Sequence, residues 1–361
     1  MTKISTIVFG LLIVLGGLSG CDVNNNKQNV YAIFPLSGNF AAGGKILTRT
    51  IDTYMKVHPQ SNISIRYIDS QSDPAKAISA VRQGVLYEKS PIAVLGITSV
   101  CSAVLPIISE SGGFAFPVCA LKSNTASISP CYQFLSYDVE DVAEMPALYM
   151  RSKCKTVAIV YSDEDYGRKS KEAFKLKFSG QAGVVLMDVA FSPSSTEVRE
   201  IIDRIVSSSA DGVYIAGVAN GAYMNVFRGL KERGFSGEIV TDIVFSSPFI
   251  YKTLDSVANG IVCVCCDSDF EVPTTESGSL FRRLCLDNGI DPYYGVVEVY
   301  DALSLIDTIV EKNLQFSQDA MIKMNEFKGS ACTVRFIHPG ESKYNFHLGR
   351  ISNGKIVPVE W

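Results

Sequence analysis

Thr98 and Ser99 follow the apolar run at 92–95, in a loop where their two hydroxyls and main-chain amides can hold a carboxylate. The same pair can instead cap the helix that follows. Upstream, Ser37-Gly38 and residues 41–44 lead from a strand into a helix; the glycines admit a close backbone and the amides suit an anion. This is not a phosphate loop, because Gly43-Gly44 comes five residues after Gly38 and Lys45 is followed by Ile46 instead of Ser or Thr. Asp242 directly follows the strand expected at 238–241. A carboxylate there can make a charge-assisted hydrogen bond to a cation in a partly desolvated cleft, or simply cap its own loop. The three histidines, His58, His338 and His347, stand away from any cysteine, serine or acid at a triad or metal spacing. No catalytic residue, metal ligand or cofactor is therefore expected, and the chain does not read as an enzyme. Cys101, close behind Ser99, is either a reactive thiol or a buried one at an apolar helix start, and the second account fits its neighbours better. Cys263, Cys265 and Cys266 alternate with apolar residues and read as small buried side chains.

Cys21 carries chemistry of another kind. Lys3, an apolar stretch over 7–15 and small residues at Leu18-Ser19-Gly20 precede it, the layout of a secretion signal. The segment resembles the lipobox of bacterial lipoproteins, which implies cleavage after Gly20, diacylglycerol on the Cys21 sulfur and acylation of the new amino terminus. An ordinary signal peptide with a chance cysteine is the alternative. A spanning anchor fits less well, since the apolar run is shorter than the roughly 20 residues a bilayer needs. A chain of 361 residues less this signal exceeds what one core usually organises, so two domains are expected. Apolar residues make up 47% and charged residues 19%, a globular balance, and a net charge of -4 leaves no electrostatic footprint for nucleic acid. Of ten cysteines, nine remain beside Cys21, and an odd number cannot all pair within one exported molecule.

Past a polar, Asn-rich tether at 21–29, short apolar runs alternate with longer amphipathic ones. Strands are expected at 30–34, 63–68, 92–95, 156–161, 184–190, 212–216, 238–241 and 260–265. Helices are expected at 45–57, 74–87, 104–109, 168–178, 195–208 and 222–233. The alternation argues for parallel, doubly wound α/β sheets, one per domain, with ligand beyond the carboxyl ends of the strands.

Phe34-Pro35-Leu36-Ser37-Gly38, Asp69 with Asp73-Pro74 and Ala77, Val94-Leu95-Gly96 with Thr98-Ser99, and 157–161 with Tyr166-Gly167 stand in a recognisable order. So do 211–217, Leu230 with Gly234-Phe235, Tyr300-Asp301-Ala302-Leu303, Phe327-Lys328-Gly329, Phe336, Gly340 and Asn353-Gly354-Lys355. Their ordered sum resembles the leucine/isoleucine/valine-type periplasmic binding proteins, the type I solute-binding proteins of ABC importers, over essentially the whole mature chain. The resemblance implies two doubly wound α/β lobes of the type I periplasmic-binding-protein fold joined by a three-segment hinge. With crossings near 137–141, 266–268 and 345–346, the division is 1–20 signal peptide, 21–29 tether, 30–137 plus 268–345 lobe one, and 138–267 plus 346–361 lobe two.

The resemblance also implies a ligand site and partners. The Thr98-Ser99 loop and the next one, Cys119-Ala120 through Ser123, would bind the head group of an amino acid. Tyr166 would be the cleft tyrosine of lobe two, and Asp242 would meet the ligand's ammonium group. Two departures stand out: Gly43 occupies a position where an aromatic often sits, with Phe40 the nearest ring, and the surroundings of Val218 are aliphatic. A branched-chain ligand is therefore not assumed; another amino acid, an amide or a small organic acid fits as well. The implied partners are that small molecule, the permease and ATPase subunits of an ABC importer, and the membrane through lipid on Cys21, with no nucleic acid. The implied location is the cell envelope. A lipoprotein that senses a ligand or docks another envelope protein with the same clamshell is the alternative from a different class.

Overall fold

The computed structural model describes residues 27–85, 88–119, 131–180, 183–195 and 197–361. The signal segment 1–20, Cys21, most of the tether and Ala120 lie outside the described residues.

The first sheet is built from β1 (Gln28–Phe34), β2 (Ile63–Asp69), β3 (Ile92–Leu95) and β4 (Phe114–Pro117) in the order β2-β1-β3-β4, all parallel. Crossovers α1 (Ala41–Val57), α2 (Pro74–Val85) and α3 (Thr98–Glu110) connect them. Side chains alternate across a strand, and here the alternation separates two cores. Val30, Ala32, Phe34, Ile92, Val94, Phe114 and Phe116 face one core; Tyr31, Ile33, Ala93, Leu95 and Ala115 face the other. At β1, β3 and β4 both faces are covered, which is why these strands read as nearly unbroken apolar runs, whereas the edge strand β2 leaves Arg66 and Tyr67 exposed.

α4 (Val139–Lys153) carries the chain to the second sheet, formed in part by β5 (Thr156–Ser162), β6 (Val184–Phe191), β7 (Gly212–Ala216), β8 (Glu238–Thr241) and β9 (Val262–Cys265). These five are parallel, linked through α5 (Asp165–Ser179), α6 (Arg199–Ser207), α7 (Gly221–Glu232), a 3₁₀ turn at Ile243–Ser246 and α8 (Pro248–Leu254). After a short 3₁₀ turn at Asp267–Asp269 the chain forms α9 (Glu276–Asp287), α10 (Tyr294–Glu311) and α11 (Gln318–Met324). Residues of α9, α10 and α11 belong to the core under β1. A small antiparallel sheet follows, β10 (Glu326–Lys328), β11 (Thr333–His338) and β12 (Glu341–Lys343). Finally β13 (His347–Ser352) and β14 (Lys355–Pro358) return to the second sheet, β13 running antiparallel to β9. The second sheet, β14-β13-β9-β8-β7-β5-β6, is therefore parallel as expected from β6 to β9, with an antiparallel pair, β13 and β14, added at one edge.

The cores change along the chain at short connections. Leu135 belongs to the first sheet's core and Tyr137 to the second's; Cys265 belongs to the second's and Cys266 to the first's; Tyr344 belongs to the first's and Leu348 to the second's. Phe346 and Tyr294 pack against both. Several elements differ from expectation in extent, among them the helix expected at 45–57, which starts at Ala41. The helix expected at 104–109 starts at Thr98, the one at 195–208 shortens to Arg199–Ser207, the one at 168–178 begins at Asp165, and the strand at 260–265 begins at Val262. Among the described residues no helix is long and apolar enough to cross a membrane.

Candidate functional site

A cavity of about 590 Å³ opens between the carboxyl ends of the two sheets. Its first-sheet wall is made by Pro35, Phe40, Gly43, Gly44, Leu47, Gly96, Ile97, Thr98, Ser99, Val118 and Cys119. The second-sheet wall brings residues 163–166, Arg168, Pro193, Val218, Ala219 and Val244, and Tyr137 and residues 293–295 close the space near the connections. The volume suits a small organic molecule, and the lining is mostly apolar and aromatic with a few polar groups.

The first wall rests on a carboxylate that does not itself line the cavity. Asp69, at the end of β2, accepts the Leu36 and Ser37 amides at 2.9 and 3.1 Å and the Ser37 hydroxyl at 2.7 Å. Burial opposes its charge, but the hydrogen bonds from Ser37, Gln71 and Leu36 outweigh it and hold the carboxyl below its usual range. The Leu36 and Ser37 amides thus serve Asp69, and the expectation that this loop offers its amides to an anion is corrected for Ser37. Gly38 holds a φ of 82°, a conformation glycine adopts without steric cost, and the next helix packs so closely that a Cβ at Gly44 would meet the Pro35 carbonyl oxygen.

At the start of α3 the picture differs. Ile97 adopts a φ of 68°, a strained conformation for a β-branched residue, and gives the helix no side-chain cap. Thr98 is half-buried and Ser99 exposed, both on the cavity wall, at a helix end where main-chain amides and the macrodipole favour negative charge. Cys119, one residue beyond the Val118 amide that bonds the Leu95 carbonyl at 2.8 Å, completes this corner.

On the second wall, Glu164 caps α5. Its carboxylate accepts the amides of Tyr166 and Gly167 at 2.7 Å each and the Ser162 hydroxyl at 2.6 Å. Asp163 pairs with Arg168 at 2.6 Å, and Asp165 lies 3.6 Å from the same guanidinium and 3.8 Å from Lys169. The acids of this wall are therefore already engaged. Tyr166 packs edge-on against Tyr137, centroids 6.4 Å apart, and Tyr137 in turn meets Tyr294 at 5.7 Å and Phe346 at 6.0 Å. The result is a ring-lined floor at the meeting of the two cores.

Of the residues singled out from sequence, Thr98, Ser99, Cys119 and Tyr166 come together on the cavity, and Ala120 lies outside the described residues. Asp242 does not line the cavity, and the expectation of direct contact with a ligand's ammonium group is corrected. Its side chain is fully buried; it accepts the Gly217 amide at 3.0 Å, the Tyr223 hydroxyl at 3.2 Å and the Val244 amide at 3.1 Å, capping the turn Ile243–Ser246. Burial pushes its carboxyl up to about 7, against these donors and the nearby Tyr166 hydroxyl, which work the other way. Cys101 is likewise fully buried, as are Cys263 and Cys265. The sequence reading passed over Tyr137, Tyr293 and Tyr294 as cavity residues; the Tyr293-Tyr294-Gly295 triplet ahead of a long apolar helix was the available signal.

Comparison with known proteins agrees with this geometry. The solute binding protein of an ABC transporter from R. palustris, solved with 4-hydroxybenzoate, superposes with a TM-score of 0.81 at 20% identity, covering 93% of this chain and 96% of that one. The leucine binding protein LivK from Thermotoga maritima MSB8 does so with a TM-score of 0.81 at 16% identity, covering 92% and 98%. In sequence, the Leu/Ile/Val-binding protein homolog 6 of Brucella abortus is 28% identical over 253 residues, 65% of this chain. That alignment spans 62% of the Brucella protein, less than two thirds of its length. Residues 28–264 match the family model described as periplasmic binding protein, and with two α/β units around one cavity the chain belongs to that family.

Proposed function

We propose that this protein is the extracytoplasmic solute-binding component of an ABC importer, anchored by lipid on Cys21, and that its lobes, 30–137 with 268–345 and 138–267 with 346–361, close over a small organic carboxylate. The observation that carries the ligand class is the pairing of the α3 amino-terminal corner, Thr98 and Ser99, with a cavity otherwise walled by rings and aliphatic side chains. The carboxylate sits at that corner and its body packs among Phe40, Tyr137, Tyr166 and Tyr294. An amino acid also needs an anionic partner for its ammonium group. Asp242 is buried behind the wall, and Asp163 and Glu164 are committed to Arg168 and to the α5 cap. The geometry therefore favours an aromatic or aliphatic acid over an amino acid.

A thermal-shift screen of the protein beginning at Asp22, with benzoate, 4-hydroxybenzoate, aliphatic acids and amino acids, tests this. A ligand at about one hundred times its Kd adds about 2.7 kcal/mol to the folded state. Stabilisation by an aromatic or aliphatic acid and not by leucine supports the reading. Stabilisation by amino acids alone returns the ammonium contact to Asp242 after rearrangement, and no shift at all favours the sensing or docking alternative. Anchoring has its own check: Cys21→Ser should move the protein from the membrane fraction to the soluble fraction, and an unchanged distribution removes the lipid from the account.

A further inference from the structure

The nine cysteines other than Cys21 are all thiols here, eight of them buried. Two stand apart by position. Cys101, in the first turn of α3, and Cys119, just after β4, bring their sulfurs to 3.0 Å across the corner of the cavity. Other cysteine sulfurs meet carbonyl oxygens instead, Cys131 toward Leu105 and Cys265 toward His347. The two chain segments are held independently of the sulfurs, α3 by its packing on β4 and the strand by its ladder to β3, so the pair is brought together by the fold. Cys119 also lines the cavity, which gives a soluble reagent a route to one of the two.

We infer that Cys101 and Cys119 form a redox pair that closes into a disulfide when the protein meets an external disulfide, tying the segment two residues past β4 to the first turn of α3. The chemistry is thiol–disulfide exchange. The Cys119 thiol loses its proton and its sulfur displaces one half of a small-molecule or protein disulfide, releasing one thiol and leaving a mixed disulfide. The Cys101 thiol then loses its proton and attacks the Cys119 sulfur, releasing the second thiol. Two cysteine thiols become one disulfide, and the external disulfide takes up the two electrons and two protons. Burial, followed by the adjacent Cys119 sulfur, pushes the Cys101 thiol well above its usual range, which fits Cys119 as the first to react and Cys101 as the resolving partner. With one pair closed, seven of the nine thiols remain, which answers the odd count without pairing the buried cysteines of β9.

The test is a two-label thiol map of the full chain. Protein isolated from the cell envelope without reductant, and a second sample reduced and then exposed to oxidised glutathione, are unfolded and alkylated with one reagent, then reduced and alkylated with another. Cys101 and Cys119 are expected to carry the second label in both samples while Cys154 and Cys285 carry the first. The unreduced digest should contain the two peptides joined, two hydrogens lighter than their sum. The oxidised form should melt a few degrees above the reduced form. First label on both cysteines in both samples, or either cysteine joined to another partner, overturns the inference.

Discussion

Replacing Ser99 by aspartate is expected to remove binding of the stabilising carboxylate while leaving the empty protein as stable as before, or slightly more so. Ser99 is the exposed second residue of α3, on the cavity wall. Two unit negative charges about 4 Å apart repel by about 4 kcal/mol at an effective dielectric of about 20. Each 1.4 kcal/mol is about tenfold in Kd, so the loss should be at least a hundredfold. The same aspartate complements the positive end of the helix, worth a few tenths to about 1 kcal/mol to the unliganded fold. Titration calorimetry with the carboxylate found in the screen, beside a melting curve without ligand, separates the effects. Binding within about threefold of the unaltered protein would mean the head group lies elsewhere in the cavity; a melting temperature that falls would mean Ser99 serves the fold.

The second large effect concerns acids the cavity does not use. Asp301, on the buried face of α10, is fully enclosed, and one oxygen accepts the Ser330 amide at 2.6 Å. Burial pushes its carboxyl from 3.8 to about 7, with hydrogen bonds from Ser330 and the Tyr344 hydroxyl working the other way. Asp242 and Asp269 are raised to about 7 by the same cause. A carboxyl whose pKa is raised on folding keeps its proton in the folded state while the unfolded chain gives one up. Its contribution is therefore complete below the ordinary value of 3.8 and is lost as pH climbs through about 7. At about 1.4 kcal/mol per pH unit, the interval from 3.8 to about 7 caps the loss near 4 kcal/mol for Asp301. Asp301→Asn mimics the protonated form. It is expected to match the unaltered protein below about pH 4, to pull ahead of it progressively as pH rises, and to exceed its melting temperature by several degrees at about pH 8. Melting curves across that range decide the matter, and a difference that stays constant with pH would place the charge somewhere better solvated.

Much of this architecture was legible because both sheets bury their strands on two faces. Runs such as 157–161 and 212–216 are apolar without interruption, and the helices between them carry a 3.6-residue stripe. Legibility failed where that contrast fades. β4 is four residues, Phe-Ala-Phe-Pro, too short for a period and ended by proline. α10 is apolar almost all round, so its stripe dissolves into a general hydrophobicity that only burial explains. The start of α3 is hidden because its cap is Ile97, a residue type that signals strand. At the site, Thr98 and Ser99 could be read locally, as hydroxyls directly after the apolar run of β3. The depth of Asp242 could not, because it is set by Tyr223 and the Gly217 loop, about 20 residues away in sequence but in contact in space.

The late return of the chain to its second sheet bears on how the molecule is made. Leu348, Ile351 and Ile356 from β13 and β14 belong to the second core, and β13 is the neighbour of β9. Until those strands emerge, the hydrogen-bonding edge of β9 stays bare and the core around Val262 and Val264 is open on one side. During vectorial synthesis, the stretch built from β5 to β9 must wait roughly 80 residues for its last strands. A polypeptide that cannot finish one half of itself until nearly all of it has been made stays loose for longer, a condition suited to being threaded through a translocation channel before it folds.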